Sequence, residues 1–130
     1  MDNSLEKKAP SVVLITSDEI ESEILRSFLE SSGYLVRTAG TAWEAIDFLN
    51  EEESDLLLTD LYVQGMPGED LIRWVRENKK NVKPIVYSSA KDEQVVLKSL
   101  QAGALDHISK TSSLDLLLAK IKVHLNKDFV

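Results

Sequence analysis

Leu56-Leu57-Leu58-Thr59-Asp60 decides how this chain is read. The run is apolar without interruption and short. That length suits a strand buried on both faces, whereas a helix would need a longer periodic stretch. Asp60 ends the run on a carboxylate. Val63-Gln64-Gly65-Met66-Pro67-Gly68 follows as a turn-rich loop.

Working outward in both directions, the same alternation recurs. Val12-Val13-Leu14-Ile15 is another short apolar run rich in β-branched residues. Ile20, Ile24, Leu25, Phe28 and Leu29 follow at helical spacing, and Gly33 supplies a stop. Tyr34 to Thr38 reads as a strand. Thr41 with Glu44 forms a capping-box pattern ahead of Ala42, Ala45, Ile46 and Leu49. After Asp60, a helix carries Leu71, Ile72 and Val75, with Trp74 beside them. Pro84 introduces the strand Ile85-Val86-Tyr87. Val95, Val96, Leu97 and Leu100 mark a helix closed by Gly103. Leu105 to Ile108 form a short last strand. Ser112 or Ser113 caps a helix with Leu114, Leu117, Leu118, Ile121 and Leu125 on its apolar side.

Five strand–helix pairs in alternation predict an α/β fold, a doubly wound five-stranded parallel sheet with helices on both faces. Residues 1–10 are expected to be a flexible N-terminus and 11–130 the folded domain. The chain contains no cysteine, which excludes disulfides and thiol chemistry. His107 and His124 are its only histidines, too few for a zinc cluster. A net charge of −7 opposes direct binding to nucleic acid or anionic lipid. No apolar run approaches the roughly 20 residues that span a bilayer. The first residues do not resemble a signal peptide, so a cytoplasmic location is expected. No Gly-rich phosphate loop follows any strand, which argues against a nucleotide-binding enzyme.

In a doubly wound sheet the site lies at the carboxyl ends of the strands. Those ends carry Thr16-Ser17-Asp18-Glu19, Asp60, Ser88-Ser89 and Ser109-Lys110. A pocket built from them holds a carboxylate, hydroxyls and an ammonium. Strand alternation lets only one of Ser88 and Ser89 face it, and the spacing from Pro84 favours Ser89. Trp43 and Trp74 read as helix packing. His124 is expected at the surface of the last helix.

Three features together resemble the receiver domain of two-component response regulators over roughly residues 11–126. They are Asp60 with Gly68 eight residues on, Pro84-Ile85-Val86-Tyr87-Ser88-Ser89-Ala90, and Gly103-Ala104-Leu105-Asp106-His107-Ile108-Ser109-Lys110. The resemblance implies a flavodoxin-like fold and a signalling module rather than an enzyme. It makes Asp60 the acceptor of a phosphoryl group from a histidine kinase or phosphotransfer protein. Ser89 and Lys110 fall where the family contacts that group, and His107 falls at the switch aromatic. A Mg²⁺ site would include Asp60 and the backbone carbonyl of Tyr62. Downstream proteins would dock on the face of the fourth helix, fifth strand and fifth helix. Homodimerisation through the same region stays open, and no residue argues for it.

The pattern also breaks. The family usually has two acids after its first strand, and a gapless alignment puts Thr16 and Ser17 there. Sliding by one residue brings Asp18 into the pair. Asp18 therefore stays open as a metal ligand or as the N-cap of the first helix, in a box with Glu21. In either frame a carboxylate is lost, so Mg²⁺ is expected to bind weakly. Thr111 replaces a common proline, and His107 would make the switch position sensitive to pH. These departures support a second reading, a pseudo-receiver that binds protein without phosphorylation.

Overall fold

A computed structural model describes residues 9–126. Strands and helices alternate as β1 (Ser11–Ile15), α1 (Glu19–Ser31), β2 (Leu35–Ala39), α2 (Ala42–Glu51), β3 (Leu56–Thr59), α3 (Gly68–Asn78), β4 (Lys83–Ser88), α4 (Glu93–Ala102), β5 (Asp106–Ser109) and α5 (Leu114–Leu125). All strand pairs are parallel, in the order β2-β1-β3-β4-β5. This is the expected doubly wound, flavodoxin-like architecture. Its order reverses between β1 and β3, and at such a point the flanking loops part to leave a crevice. The expectation of a flexible N-terminus falls largely on residues 1–8, outside the described residues. Pro10, just ahead of β1, already joins the sheet: its carbonyl accepts the N–H of Leu35 on β2 at 2.9 Å.

Side chains alternate across the strands and divide the core into two layers. Val12 and Leu14 of β1, Leu56 and Leu58 of β3, and Ile85 and Tyr87 of β4 pack with Leu25 and Leu29 of α1 and Leu117 and Ile121 of α5. On the opposite face Val13, Ile15 and Leu57 meet Ala42, Ala45, Ile46 and Leu49 of α2 and Leu71 and Val75 of α3. Val86 meets Ile72 of α3 and Ala102 of α4 there. All four residues of β3 are buried, as a central strand requires.

The helix ends follow their local chemistry. Thr41 Oγ1 accepts the Glu44 N–H at 3.1 Å, and Glu44 Oε1 accepts the Gly40 N–H at 2.8 Å. Asp92 and Ser113 cap α4 and α5. Gly33 and Gly103 follow α1 and α4 at positive φ.

Two expectations are corrected, for His124 and for Trp43, and the covered arcs of α1 and α4 are settled. In α1 only Leu25 and Leu29 are buried, while Ile20 is 75% and Ile24 54% exposed. In α4, Leu97 and Leu100 lie outside, and Ser99 and Ala102 face the core. An apolar periodicity wide enough to wrap the helix does not fix which part of it turns inward. His124 is not at the surface. It is 7% exposed, and its Nε2 lies 2.9 Å from Asp106 Oδ2 on β5. Trp43 is mainly exposed, with its ring edge against Gly65.

Candidate functional site

The strand ends place four chain segments side by side. Ile15 pairs with Thr59, so the residue after each strand meets the other at the centre of the sheet. The Asp60 N–H donates to the Ile15 carbonyl at 3.1 Å. Asp60 Oδ1 accepts the Leu61 N–H at 2.6 Å and the Tyr62 N–H at 3.4 Å, which fixes the carboxylate over its own turn. Gly68 supports that turn from below. A Cβ on Gly68 would come within 2.8 Å of Leu61 Cα and 2.9 Å of the Asp60 carbonyl oxygen. Both obstacles are backbone, so α3 can start this close to Asp60 only on glycine.

Lys110 arrives from the other side of the sheet. Ser88 pairs with Ser109, and the Lys110 N–H donates to the Ser88 carbonyl at 3.0 Å. Its side chain then crosses to Asp60, with Nζ 2.5 Å from Oδ2. A second carboxylate shares the ammonium: Glu21 Oε1 lies 2.7 Å from Nζ. Burial draws the Lys110 pKa down. Hydrogen bonds to Asp60 and Glu21, with the charge of both carboxylates, outweigh burial and hold it above the ordinary lysine value. Tyr87 lies beneath, its ring centroid 5.9 Å from Nζ. Burial raises the Tyr87 pKa, Glu21 adds to the rise and Lys110 opposes it.

The reading of the sequence did not place Glu21 in this pocket. Its position follows from Thr16. Glu21 is the third residue after the cap Asp18, where a glutamate ordinarily reaches back to the N–H of the capping residue. Here Thr16 Oγ1 takes the Asp18 N–H at 3.2 Å and donates to Glu21 Oε1 at 3.1 Å. Glu21 is released from capping and points over the strand ends. The signal was available: Cβ atoms in a helix tilt toward its N-terminus, which here faces the pocket.

The other candidate residues are distributed as follows. Asp18 Oδ1 accepts the N–H groups of Ile20 and Glu21, so its carboxylate caps α1. Tyr62 is exposed beside Asp60. Ser88 is fully buried, and its Oγ accepts the Ala90 N–H at 2.9 Å, while Ser89, the residue after β4, is exposed. His107 is half-buried on β5, and its Nε2 is buried without a hydrogen-bond partner. Asp60, Lys110, Glu21 and Thr16 thus form one connected network. Ser89 and His107 do not join it.

A family model described as the response regulator receiver domain matches residues 12–122. The chain belongs to this family. Such domains are generally non-enzymatic signalling modules that meet histidine kinases and downstream effectors. Among solved structures, a response regulator from Thermotoga maritima is 32% identical, with a TM-score of 0.83 over 92% of this chain and 99% of that one. A response regulator receiver domain protein (CheY-like) from Methanospirillum hungatei JF-1 is 27% identical, with a TM-score of 0.86 over 92% and 95%. The signal receiver domain of a putative Luxo repressor protein from Vibrio parahaemolyticus is 23% identical, with a TM-score of 0.84 over 92% of each chain, a likeness of fold. Among the described residues no helix is long and apolar enough to cross a membrane.

Receiver domains typically bind Mg²⁺. The donor set here is poor for that ion. Thr16 and Ser17 follow β1, Asp18 is engaged as a helix cap, and both oxygens of Asp60 already accept hydrogen bonds. Among the described residues no three Asp, Glu, His or Cys side chains cluster as a metal site. A hard ion that prefers six oxygens would have to displace Lys110 first. These residues do not fit a tightly held Mg²⁺.

Proposed function

We propose that this domain is a phosphorelay switch in which Asp60 accepts a phosphoryl group from a phosphohistidine of a kinase or phosphotransfer protein. The observation that carries this reading is the 2.5 Å contact between Lys110 Nζ and Asp60 Oδ2. It sets a fixed cation against a strand-end carboxylate at the switch point of the sheet. Transfer forms an O–P bond on Asp60 and breaks the donor's P–N bond, and the departing imidazole takes up a proton. Lys110 neutralises the charge that arrives. Ser89 is the hydroxyl that would turn toward the phosphoryl group, and His107 is the residue that would follow it. Leu97, Leu100 and Leu105 are exposed on and beside α4 and β5, and Leu116 and Val123 on α5. They offer apolar area to a downstream protein on the α4–β5–α5 face. Mg²⁺ would be held weakly, by Asp60 and the Tyr62 carbonyl, with Asp18 joining only on leaving its cap.

A second reading has its own support. With Thr16 and Ser17 after β1 and Glu21 beside Asp60 on Lys110, the cation of the pocket is already shared between two carboxylates. A pseudo-receiver that binds protein without phosphorylation would look like this. Incubation with acetyl phosphate, with and without Mg²⁺, followed by intact mass separates the two. Gain of one phosphoryl group by the wild type and none by Asp60→Asn supports the switch. No gain in either protein supports the pseudo-receiver.

A further inference from the structure

Glu21 and Asp60 meet only through Lys110, and the space between them explains why that matters. Thr16, Glu21, Asp60 and Tyr87, with Leu14 and Leu58 beneath, enclose a gap too narrow for a water molecule. No water fits beneath the two carboxylates, so a lost partner can be replaced only from the solvent side, where Glu21 keeps 26% and Asp60 14% of its side-chain surface. One ammonium serves two carboxylates, leaving the trio with a net charge of −1. A phosphoryl group on Asp60 adds further negative charge and demands the same ammonium. Glu21 must then give up Lys110 and face a larger anion of like sign.

We propose that Glu21 is a positioning residue that holds Lys110 in the resting pocket, where the ammonium takes the place of a divalent ion, and that it restrains phosphorylation of Asp60 by competing for that ammonium. Thr16 sets the competition through its hydrogen bond to Glu21 Oε1. The second half of this proposal rests on the acceptor reading given above, and the first half stands without it.

The test is Glu21→Gln, which keeps the shape and the helix position and removes the charge. Two readouts are taken on the full chain. The first is the rate at which trace acetic anhydride acylates Lys110 at fixed alkaline pH, measured by peptide mass. Loss of one of two carboxylate partners frees the amine more often, so the rate should rise about threefold to tenfold. The second is the fraction labelled by acetyl phosphate, which should rise by about threefold or more as one like charge leaves the pocket. An unchanged acylation rate would overturn the proposal. Equal labelling of wild type and Glu21→Gln, where both label, would overturn the restraint. Faster acylation with no labelling of either protein would support the hold on Lys110 and sink the acceptor reading instead.

Discussion

The carboxylates of Glu21 and Asp60 share one counter-ion: Lys110 Nζ lies 2.7 Å from the first and 2.5 Å from the second. The three residues come from α1, the end of β3 and the end of β5. The sheet order brings Asp60 and Lys110 together, and Thr16 holds Glu21 over them.

Removing the ammonium should cost more than removing either acid. Lys110→Met leaves Glu21 and Asp60 facing each other without a cation, in a place only partly open to water. The expected loss is about 1–3 kcal/mol. Asp60→Asn leaves a neutral Glu21–Lys110 pair and should cost less. Urea unfolding at neutral pH checks the order, and an Asp60→Asn protein less stable than Lys110→Met would contradict it.

Alkaline pH should unfold the protein in a defined window. The folded-state pKa values of Lys110, Tyr34 and Tyr87 are all raised. A raised value means the folded state holds the proton more tightly. That stability is fully present below the unfolded values, about pH 10 for both residue types. It is lost as pH climbs through the raised ones. Unfolding free energies taken between pH 8 and pH 12 should therefore fall above about pH 10. Lys110→Met should show a shallower fall, and identical slopes would count against the pairing.

Gly68 should not tolerate a methyl group. Its Cβ would meet backbone on Asp60 and Leu61, and backbone cannot rotate aside. Gly68→Ala is expected to cost about 1–3 kcal/mol and to shift the Asp60 amide in an NMR spectrum. A variant with wild-type stability and an unmoved Asp60 resonance would show the turn to be softer than its geometry implies.

His124 should anchor α5 to β5. Its Nε2 contacts Asp106 Oδ2 at 2.9 Å, and the Lys83 ammonium donates to its backbone carbonyl at 2.8 Å. His124→Ala removes buried volume and one side-chain bond, for an expected loss of about 1–3 kcal/mol. Thermal unfolding measures it. A surface histidine would give almost no change.

The sequence showed the frame of this protein more clearly than its contacts. Leu56 to Thr59 read as a buried strand because nothing in it is polar until its end. The Thr41–Glu44 pair and the glycines at 33 and 103 marked helix ends by local chemistry, which needs no knowledge of the fold. Faces of α1 and α4 were harder. Ile20 and Leu100 continue an apolar pattern yet lie outside, because the sheet, not the helix, decides which arc is covered. His124 was misjudged because its partner Asp106 lies eighteen residues away on a different element. In the pocket, Asp60 and Lys110 were legible from their strand ends. Glu21 was hidden behind an apparent capping role. The hydroxyl of Thr16, which takes over the Asp18 N–H, frees Glu21 for Lys110.

Chemical trapping identifies the phosphoryl acceptor directly. The wild-type chain is treated with acetyl phosphate and Mg²⁺, reduced with borohydride and mapped by peptide mass. An aspartyl phosphate is reduced to homoserine, so conversion at Asp60 alone, and none in untreated protein, is the predicted result. Conversion at another acid, or nowhere, would contradict the assignment of Asp60 as the phosphoryl acceptor.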